Sequence, residues 1–138
     1  MSAKPFLDTN VILYLLSADT TKANRAEALL AEGGTISVLV LNEAVNVMTK
    51  KLKMGLDEVC DVLTGIRYAC DVQPVTIEMH DHALEIMRRY SFSIYDSGII
   101  AAAAGAGCTT LYSEDLQDGQ RIGLNLIIAN PFKQESRN

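Results

Sequence analysis

The sequence predicts an α/β fold built on a mainly parallel sheet of four to five strands. Short apolar or β-branched runs alternate with longer segments of helical periodicity through most of the chain, which is the pattern of strand–helix–strand units. Such units place helices on both faces of the sheet. The chain has 138 residues, of which 49% are apolar and 21% are charged, and this composition suits one globular domain with its own core.

The first third of the chain predicts two strands and two helical segments. The apolar run PFL predicts a short strand at residues 5–7, and the apolar segment after it predicts a helical stretch at 10–16. The next helix begins at Asp19 or Thr20, either of which can cap it, and ends at the glycine pair 33–34. The β-branched run TISVL then predicts the second strand.

Two amphipathic helices are predicted next. Apolar residues recur at spacings of three and four from Leu41 to Leu52, and the same spacing recurs from Leu56 to Ile66 after Gly55. Each of these helices therefore has one apolar face.

The remaining chain predicts two further helices and up to three further strands. DVQPV predicts a strand that Pro74 weakens or places at the edge of the sheet. Thr76 caps a helix that runs to about Tyr90, and YDSGIIAAAAGAG predicts a helix of small residues that ends at Gly105 or Gly107. TTLY and LNLIIA predict the last two strands.

Several protein classes are disfavoured by the composition. The three cysteines form no C-x-x-C pair, so the sequence indicates buried free thiols in a reducing compartment rather than disulfides or a zinc knuckle. Asp8 interrupts the first apolar run, which argues against a signal peptide, and the longest uncharged stretch, 97–113, is too short for a membrane helix. We therefore expect a cytoplasmic protein without membrane association. The net charge of −5 means that nucleic-acid binding would depend on local basic patches.

Four acidic residues are predicted to converge at one edge of the sheet. Asp8 directly follows the first strand, Glu43 falls in the first turn of the helix after the second strand, and Asp115 comes three residues after TTLY. Side chains that leave parallel strands in the same direction meet at the carboxyl edge. Asp96 opens the small-residue helix, and close packing of that helix would bring it to the same edge. Any one of these acids alone is more typical of a helix cap than of a ligand.

A cluster of these four carboxylates predicts a divalent-cation site. Neighbouring carboxylates repel one another, and a divalent cation would neutralise them. Oxygen ligands without His or Cys favour Mg²⁺ or Mn²⁺ over zinc. Such an ion can lower the pKa of a bound water and balance charge on a phosphorane-like transition state, so the chemistry suits phosphodiester cleavage.

The motifs FLDTNVILYLL, YDSGIIAAAA and SEDL, with Glu43 after the second strand, resemble the successive motifs of PIN-domain nucleases. More narrowly, they resemble VapC-type toxins of bacterial toxin–antitoxin pairs. The resemblance extends over residues 5–132 and implies a single PIN-like nuclease domain over 1–138 with a three-layer α/β/α fold. It implies an endoribonuclease that depends on Mg²⁺ or Mn²⁺ and cleaves single-stranded or structured RNA by metal-activated water. It also implies a homodimer and a small cognate antitoxin.

The same resemblance implies roles for individual residues. Four acids are implied to be both catalytic and metal-binding: Asp8, Glu43, Asp96 and Asp115. Three polar residues are implied to support them: Thr9, Asn10 and Ser113. Glu114 and Asp118 lie near Asp115 and are alternatives for the fourth acid, although Asp115 has the better register.

Other α/β proteins also carry acids at the ends of their strands. A receiver domain needs an acidic neighbour beside the first acid, and a haloacid-dehalogenase phosphatase needs an Asp at position 10, where this chain has Asn. The sequence disfavours both. The alternative that stays open is a PIN-like RNA-processing or non-catalytic RNA-binding module without a toxin role.

Overall fold

The chain forms six strands and six helices over residues 4–133, the part described by this computed structural model. The strands are β1 (Phe6–Leu7), β2 (Gly34–Ser37), β3 (Cys70–Gln73), β4 (Thr110–Tyr112), β5 (Arg121–Ile122) and β6 (Leu126–Ala129). The helices are α1 (Thr9–Leu13), which a 3₁₀ turn at Tyr14–Leu16 continues, α2 (Thr20–Glu32), α3 (Val38–Lys50), α4 (Leu56–Ala69), α5 (Ile77–Tyr90) and α6 (Ile94–Gly105). The expected single domain also includes residues 1–3 and 134–138, which lie outside the described residues.

The six strands form one sheet in the order β3-β2-β1-β4-β6-β5. All neighbouring pairs are parallel except β5 and β6, which are antiparallel. This confirms the predicted α/β class with a mainly parallel sheet. Phe6 of β1 is in register with Thr35 of β2 and with Leu111 of β4, so these three strands deliver their carboxyl ends to one edge. β3 lies at the sheet edge, as the neighbouring Pro74 indicated.

The sheet has six strands rather than the four or five expected. The additional strand is β5, which has only two residues and pairs Arg121 with Ile127 and Ile122 with Leu126. A pair of residues is too short to show a period-two pattern. Gly123, with φ of 61°, makes the turn that follows β5 and allows this short pairing.

The second strand ends two residues earlier than the sequence predicted. TISVL was expected to be extended throughout, but β2 ends at Ser37 and α3 begins at Val38. The Ser37 hydroxyl accepts a hydrogen bond from the Leu39 amide at 3.1 Å and so caps α3, which outweighs the β preference of Val38. As a consequence Glu43 lies in the second turn of α3 and not in the first turn, as was predicted.

The core lies where the central strands meet the packed helices. Phe6, Leu7, Ile36, Leu111 and Ile128 are fully buried in the sheet. The small-residue helix α6 contributes a continuous buried run, Ser97 to Ala103, and contacts β2, β4 and α3. A Cβ atom on Gly98 would lie 3.2 Å from Leu39 Cδ1, so glycine at this position allows α6 to approach α3 closely. This close approach sets the distance between the acids that the two helices carry.

The cysteines and the helix lengths can be compared with their predictions. Cys70 and Cys108 are buried free thiols, as expected, whereas Cys60 is exposed because it lies on the outer face of α4. Within residues 4–133, none of the helices combines the length and the apolar character that crossing a bilayer requires.

Candidate functional site

Asp8 is a buried carboxylate at the carboxyl end of the central strand β1, with 8% of its surface exposed. It is the N-cap of α1, because Oδ1 accepts a hydrogen bond from the Thr9 amide at 2.7 Å. The Ser113 hydroxyl donates to Oδ2 at 2.8 Å. Burial raises the pKa of Asp8 above its usual value, and these two hydrogen bonds only partly oppose that effect. Negative charge on Asp115 and Asp96 raises the pKa further.

Glu43, on α3, belongs to the same group of acids. The residue is exposed as a whole, but partial burial of its carboxyl raises the pKa, and the charges on Asp8, Asp96 and Asp115 raise it further. The nearby Thr9 hydroxyl lowers the pKa of Glu43, although its oxygen has no partner at hydrogen-bonding geometry among the described groups. The structure therefore brings all four predicted acids to one edge of the sheet, where the charges of Asp96 and Asp115 raise the pKa values of Asp8 and Glu43.

Asp115 is held in place by Asn10. The Asn10 side-chain amide donates to Asp115 Oδ2 at 2.8 Å, while Asn10 Oδ1 accepts from the Glu114 backbone amide at 3.3 Å. Both contacts join α1 to residues 113–118, which we term the acid loop. Asn10, for which a supporting role was predicted, therefore fixes the acid loop beside Asp8.

The two alternative fourth acids are engaged elsewhere. Glu114 pairs with Lys22 at 2.8 Å and accepts a hydrogen bond from the Tyr14 hydroxyl, and these contacts lower its pKa. Asp118 accepts from the Asn130 amide at 2.8 Å and pairs with Lys133 at 3.0 Å, and these contacts lower its pKa as well. Among the three neighbouring acids of the acid loop, the geometry favours Asp115.

The family model of the PIN domain matches residues 6–118. The chain belongs to the PIN domain family. A comparison with curated protein sequences found no match.

Solved structures share this PIN fold at low sequence identity. A toxin–antitoxin complex from Klebsiella pneumoniae is 18% identical with a TM-score of 0.70, and the match covers 92% of this chain and 97% of that chain. VapC20 from Mycobacterium tuberculosis, a sarcin–ricin loop cleaving toxin, is 23% identical with a TM-score of 0.64, over 80% of this chain and 88% of that chain. VapBC2 from Rickettsia felis, bound to a DNA fragment from its promoter, is 20% identical with a TM-score of 0.63, over 91% and 96%. The resemblance to VapC-type toxins is thus confirmed at the level of the fold.

We term the edge of the sheet that carries Asp8, Glu43, Asp96 and Asp115 the acid edge. It does not form a preassembled metal site. Within residues 4–133, no three Asp, Glu, His or Cys side chains are grouped tightly enough to hold one metal ion among them. Hydrogen bonds with the Thr9 amide, Ser113 and Asn10 already occupy carboxylate oxygens of Asp8 and Asp115. That Asp8 and Asp96 hold the ion, with Glu43 and Asp115 completing the site directly or through water, stays a prediction.

The residues nevertheless fit a hard divalent cation. The donors are all oxygens, and Mg²⁺ commonly takes only one or two carboxylates while it keeps several of its waters. Neighbouring carboxylates raise the pKa values of Asp8 and Glu43, and a cation would offset this crowded negative charge. The buried Thr9 hydroxyl, which has no partner among the described groups, lies beside these acids and can accept a hydrogen bond from a metal-bound water.

Three residues that support the site of this PIN domain were not found from the sequence. Ser93 caps α6 by accepting a hydrogen bond from the Asp96 amide at 3.0 Å, which places Asp96 in the first turn. The Ser-x-x-Asp spacing is a known capping signal and could have identified it. Tyr14 and Lys22, which hold Glu114, gave no signal because 100 and 92 residues separate them from their partner.

Proposed function

We propose that this PIN domain is an endoribonuclease that depends on Mg²⁺ or Mn²⁺ and acts as the toxin of a toxin–antitoxin pair. The observation that carries the proposal is Asp8, a buried carboxylate at the carboxyl edge of the sheet whose pKa is raised both by burial and by neighbouring acids. Keeping such a group costs stability, so it indicates a functional site. Membership of the PIN family and the description of VapC20 as a sarcin–ricin loop cleaving toxin support RNA as the substrate.

In the proposed mechanism, Asp8 and Asp96 hold the divalent cation, and Glu43 and Asp115 complete the site directly or through water. When bound, the cation would lower the pKa of water and offset charge that develops on the scissile phosphate. Ser113 and the Thr9 amide fix the Asp8 carboxylate, so that its position is set before substrate binds. Asn10 orients Asp115 in the same way.

The proposal is tested by cleavage of RNA with purified protein in Mg²⁺ or Mn²⁺. We expect Asp8→Asn and Asp96→Asn to reduce the cleavage rate by at least about 100-fold, because each removes charge that binds the cation. Asp61→Asn, on the exposed face of α4, is the matched control and should cleave like the wild type. Wild-type rates in Asp8→Asn would contradict the assignment, and a wild type that neither cleaves RNA nor gains stability with Mn²⁺ would favour a non-catalytic RNA-binding module.

The toxin role requires a separate antitoxin. The structures from Klebsiella pneumoniae and Rickettsia felis are a toxin–antitoxin complex and VapBC2, which supports a comparable partner for this chain. Co-expression with the neighbouring reading frame should yield a complex in which a small protein suppresses RNA cleavage. Light scattering of the isolated chain should give the mass of a homodimer. Failure to obtain any inhibitory partner, with cleavage intact, would indicate a housekeeping RNA-processing enzyme.

A further inference from the structure

Two residues beside the acid edge hold Glu114, one from each of two helical segments. Lys22 of α2 donates to Glu114 Oε2 at 2.8 Å, and Tyr14, in the turn after α1, donates to Glu114 Oε1. Lys22 Nζ also donates to the Tyr14 hydroxyl oxygen at 3.0 Å, so the three side chains are mutually bonded. We term Tyr14, Lys22 and Glu114 the Glu114 anchor.

Aromatic packing reinforces the Glu114 anchor. Lys22 Nζ lies 4.5 Å from the centroid of the Tyr14 ring, and the Tyr14 ring packs edge-on against Phe132 with centroids 4.6 Å apart. A cation over an aromatic face is attracted by the ring quadrupole. Lys22 is therefore restrained by a carboxylate, a hydroxyl and a ring, which leaves its side chain little freedom to leave Glu114.

Glu114 lies between the two acid-loop residues that touch the site. Its neighbour Ser113 donates to Asp8, and its neighbour Asp115 accepts from Asn10. The Glu114 backbone amide itself donates to Asn10. Tyr14 and Lys22 thus hold the side chain of Glu114, and Asn10 holds its backbone. Asp115 is exposed and, among the described residues, its side chain has a single hydrogen-bond partner, so its place depends on these contacts.

We propose that Tyr14 and Lys22 are positioning residues that, by holding Glu114 away from the acid edge, set Asp115 beside Asp8 for cation binding. The inference rests on the proposed function and deepens it by assigning the residues that select one acid out of three neighbours. The Lys22–Glu114 ion pair is only partly buried, and such pairs contribute modestly to folding stability.

Mn²⁺ binding measured by electron paramagnetic resonance tests the proposal without any substrate. Lys22→Met and Glu114→Gln should each weaken Mn²⁺ binding about tenfold, which is the usual effect of removing a residue that orients a ligand. Lys133→Met is the matched control, because it removes the other ion pair of the acid loop, to Asp118 at 3.0 Å, and should leave Mn²⁺ affinity unchanged. Lys22→Arg should restore most of the affinity. Tighter Mn²⁺ binding in Lys22→Met would mean that a released Glu114 becomes a ligand, and it would overturn the proposal.

A second set of variants asks whether the Glu114 anchor acts through Asp115. In an Asp115→Asn background, Lys22→Met should cause no further loss of Mn²⁺ affinity, because the acid that it positions is already absent. An equal tenfold loss in that background would show that Lys22 acts on the cation by another route, and the positioning role would be wrong.

A metal-free measurement separates this inference from the proposed function. The Asn10 side-chain amide donates to Asp115, so its ¹H–¹⁵N resonance reports the position of that acid. The resonance should shift in Lys22→Met and in Glu114→Gln but not in Lys133→Met. An unchanged resonance in all three variants would overturn the inference, even if the wild type binds Mn²⁺ and cleaves RNA. If the wild type binds no Mn²⁺, the proposed function fails, and the Asn10 resonance alone decides whether the anchor positions Asp115.

Discussion

Burial of the Asp8 carboxylate costs free energy, because the charged group loses its hydration. Two hydrogen bonds, from the Thr9 amide and the Ser113 hydroxyl, compensate only part of the loss of hydration, and three further acids surround it with charge of the same sign. Active sites commonly sacrifice stability in this way for the sake of function. Substitutions at Asp8 should therefore separate stability from activity.

Asp8→Asn should make the metal-free protein more stable at neutral pH. The pKa of Asp8 is raised above its ordinary value of 3.8, so the folded state binds a proton more readily than the unfolded state. The unfolding free energy of the wild type must then fall as the pH rises from about 4 through the raised pKa. Asn carries no charge and still caps α1, so the variant avoids this loss.

Urea denaturation in a chelator, at a series of pH values, measures this effect. The stability difference between Asp8→Asn and the wild type should be largest near neutral pH and should shrink as the pH is lowered towards about 4. Asp61→Asn, which alters an exposed acid of α4, should show no comparable pH-dependent difference. A wild type that is more stable than Asp8→Asn throughout this range would contradict the role assigned to burial.

Ser113→Ala should destabilise the fold and impair the site together. Ser113 is fully buried, and its hydroxyl is the donor to Asp8 Oδ2. Its loss leaves a buried carboxylate oxygen without that partner, which costs about 1–3 kcal/mol. Urea denaturation at neutral pH gives the change in unfolding free energy. The same substitution in an Asp8→Ala background should cost clearly less, because no carboxylate is left unpaired. An equal cost there would show that Ser113 acts through contacts other than Asp8, such as the hydrogen bond that it accepts from the Leu116 amide at 3.3 Å.

Contact between β1 and β2 depends on the absence of a side chain at Gly34. A Cβ atom there would lie 2.7 Å from Leu7 Cδ1, and Leu7 is fully buried and has little room to move. Gly34→Ala should therefore reduce the unfolding free energy by about 1–3 kcal/mol. Gly65→Ala is the control, since that glycine lies in α4 with nothing within 4 Å of the added atom, and it should raise stability by about 0.5–1 kcal/mol. Equal effects in the two urea transitions would refute the steric argument.

Strand alternation and the placement of acids after strands were sufficient to predict the parallel sheet and the edge where Asp8, Glu43, Asp96 and Asp115 lie. These features are local in sequence, because each acid is fixed by the element that precedes or contains it. Glu43 was placed one turn too early because the Ser37 cap outweighs the β-branched residue that follows it. Such competition between a cap and a strand preference is decided by tertiary packing, not by the pattern alone.

The hydrogen bonds within the site were less accessible to sequence reasoning than its acids. Asn10 was expected to support an acid, but its sequence context did not indicate which one, and no motif pointed to Lys22. In both cases the partner lies more than 90 residues away along the chain. A pattern in a single sequence contains no information about such pairs, so only the folded arrangement identifies them.

The charge of the whole molecule predicts a response to divalent cations. The net charge is −5, and four acids share one edge of the sheet. Mn²⁺ should therefore bind the folded state and not the unfolded state, and so raise the free energy of unfolding. At a concentration about 100 times the dissociation constant, this linkage contributes about 2.7 kcal/mol. Thermal unfolding should show a higher Tm for the wild type in Mn²⁺ and no increase for the Asp8→Asn, Asp96→Asn double variant. An equal increase in both proteins would indicate binding at other acids.

Because β1 pairs with β4, which follows about 100 residues later, the geometry around Asp8 can form only late in synthesis. Asp8 and Asn10 are made 105 residues before their partners in the acid loop, which follow β4. Contacts between distant parts of the chain form late and slowly. A growing or prematurely ended chain that lacks β4 therefore contains the first acid without the geometry around it. If the proposed nuclease activity requires this geometry, a nascent chain would acquire it only after the acid loop has been synthesised.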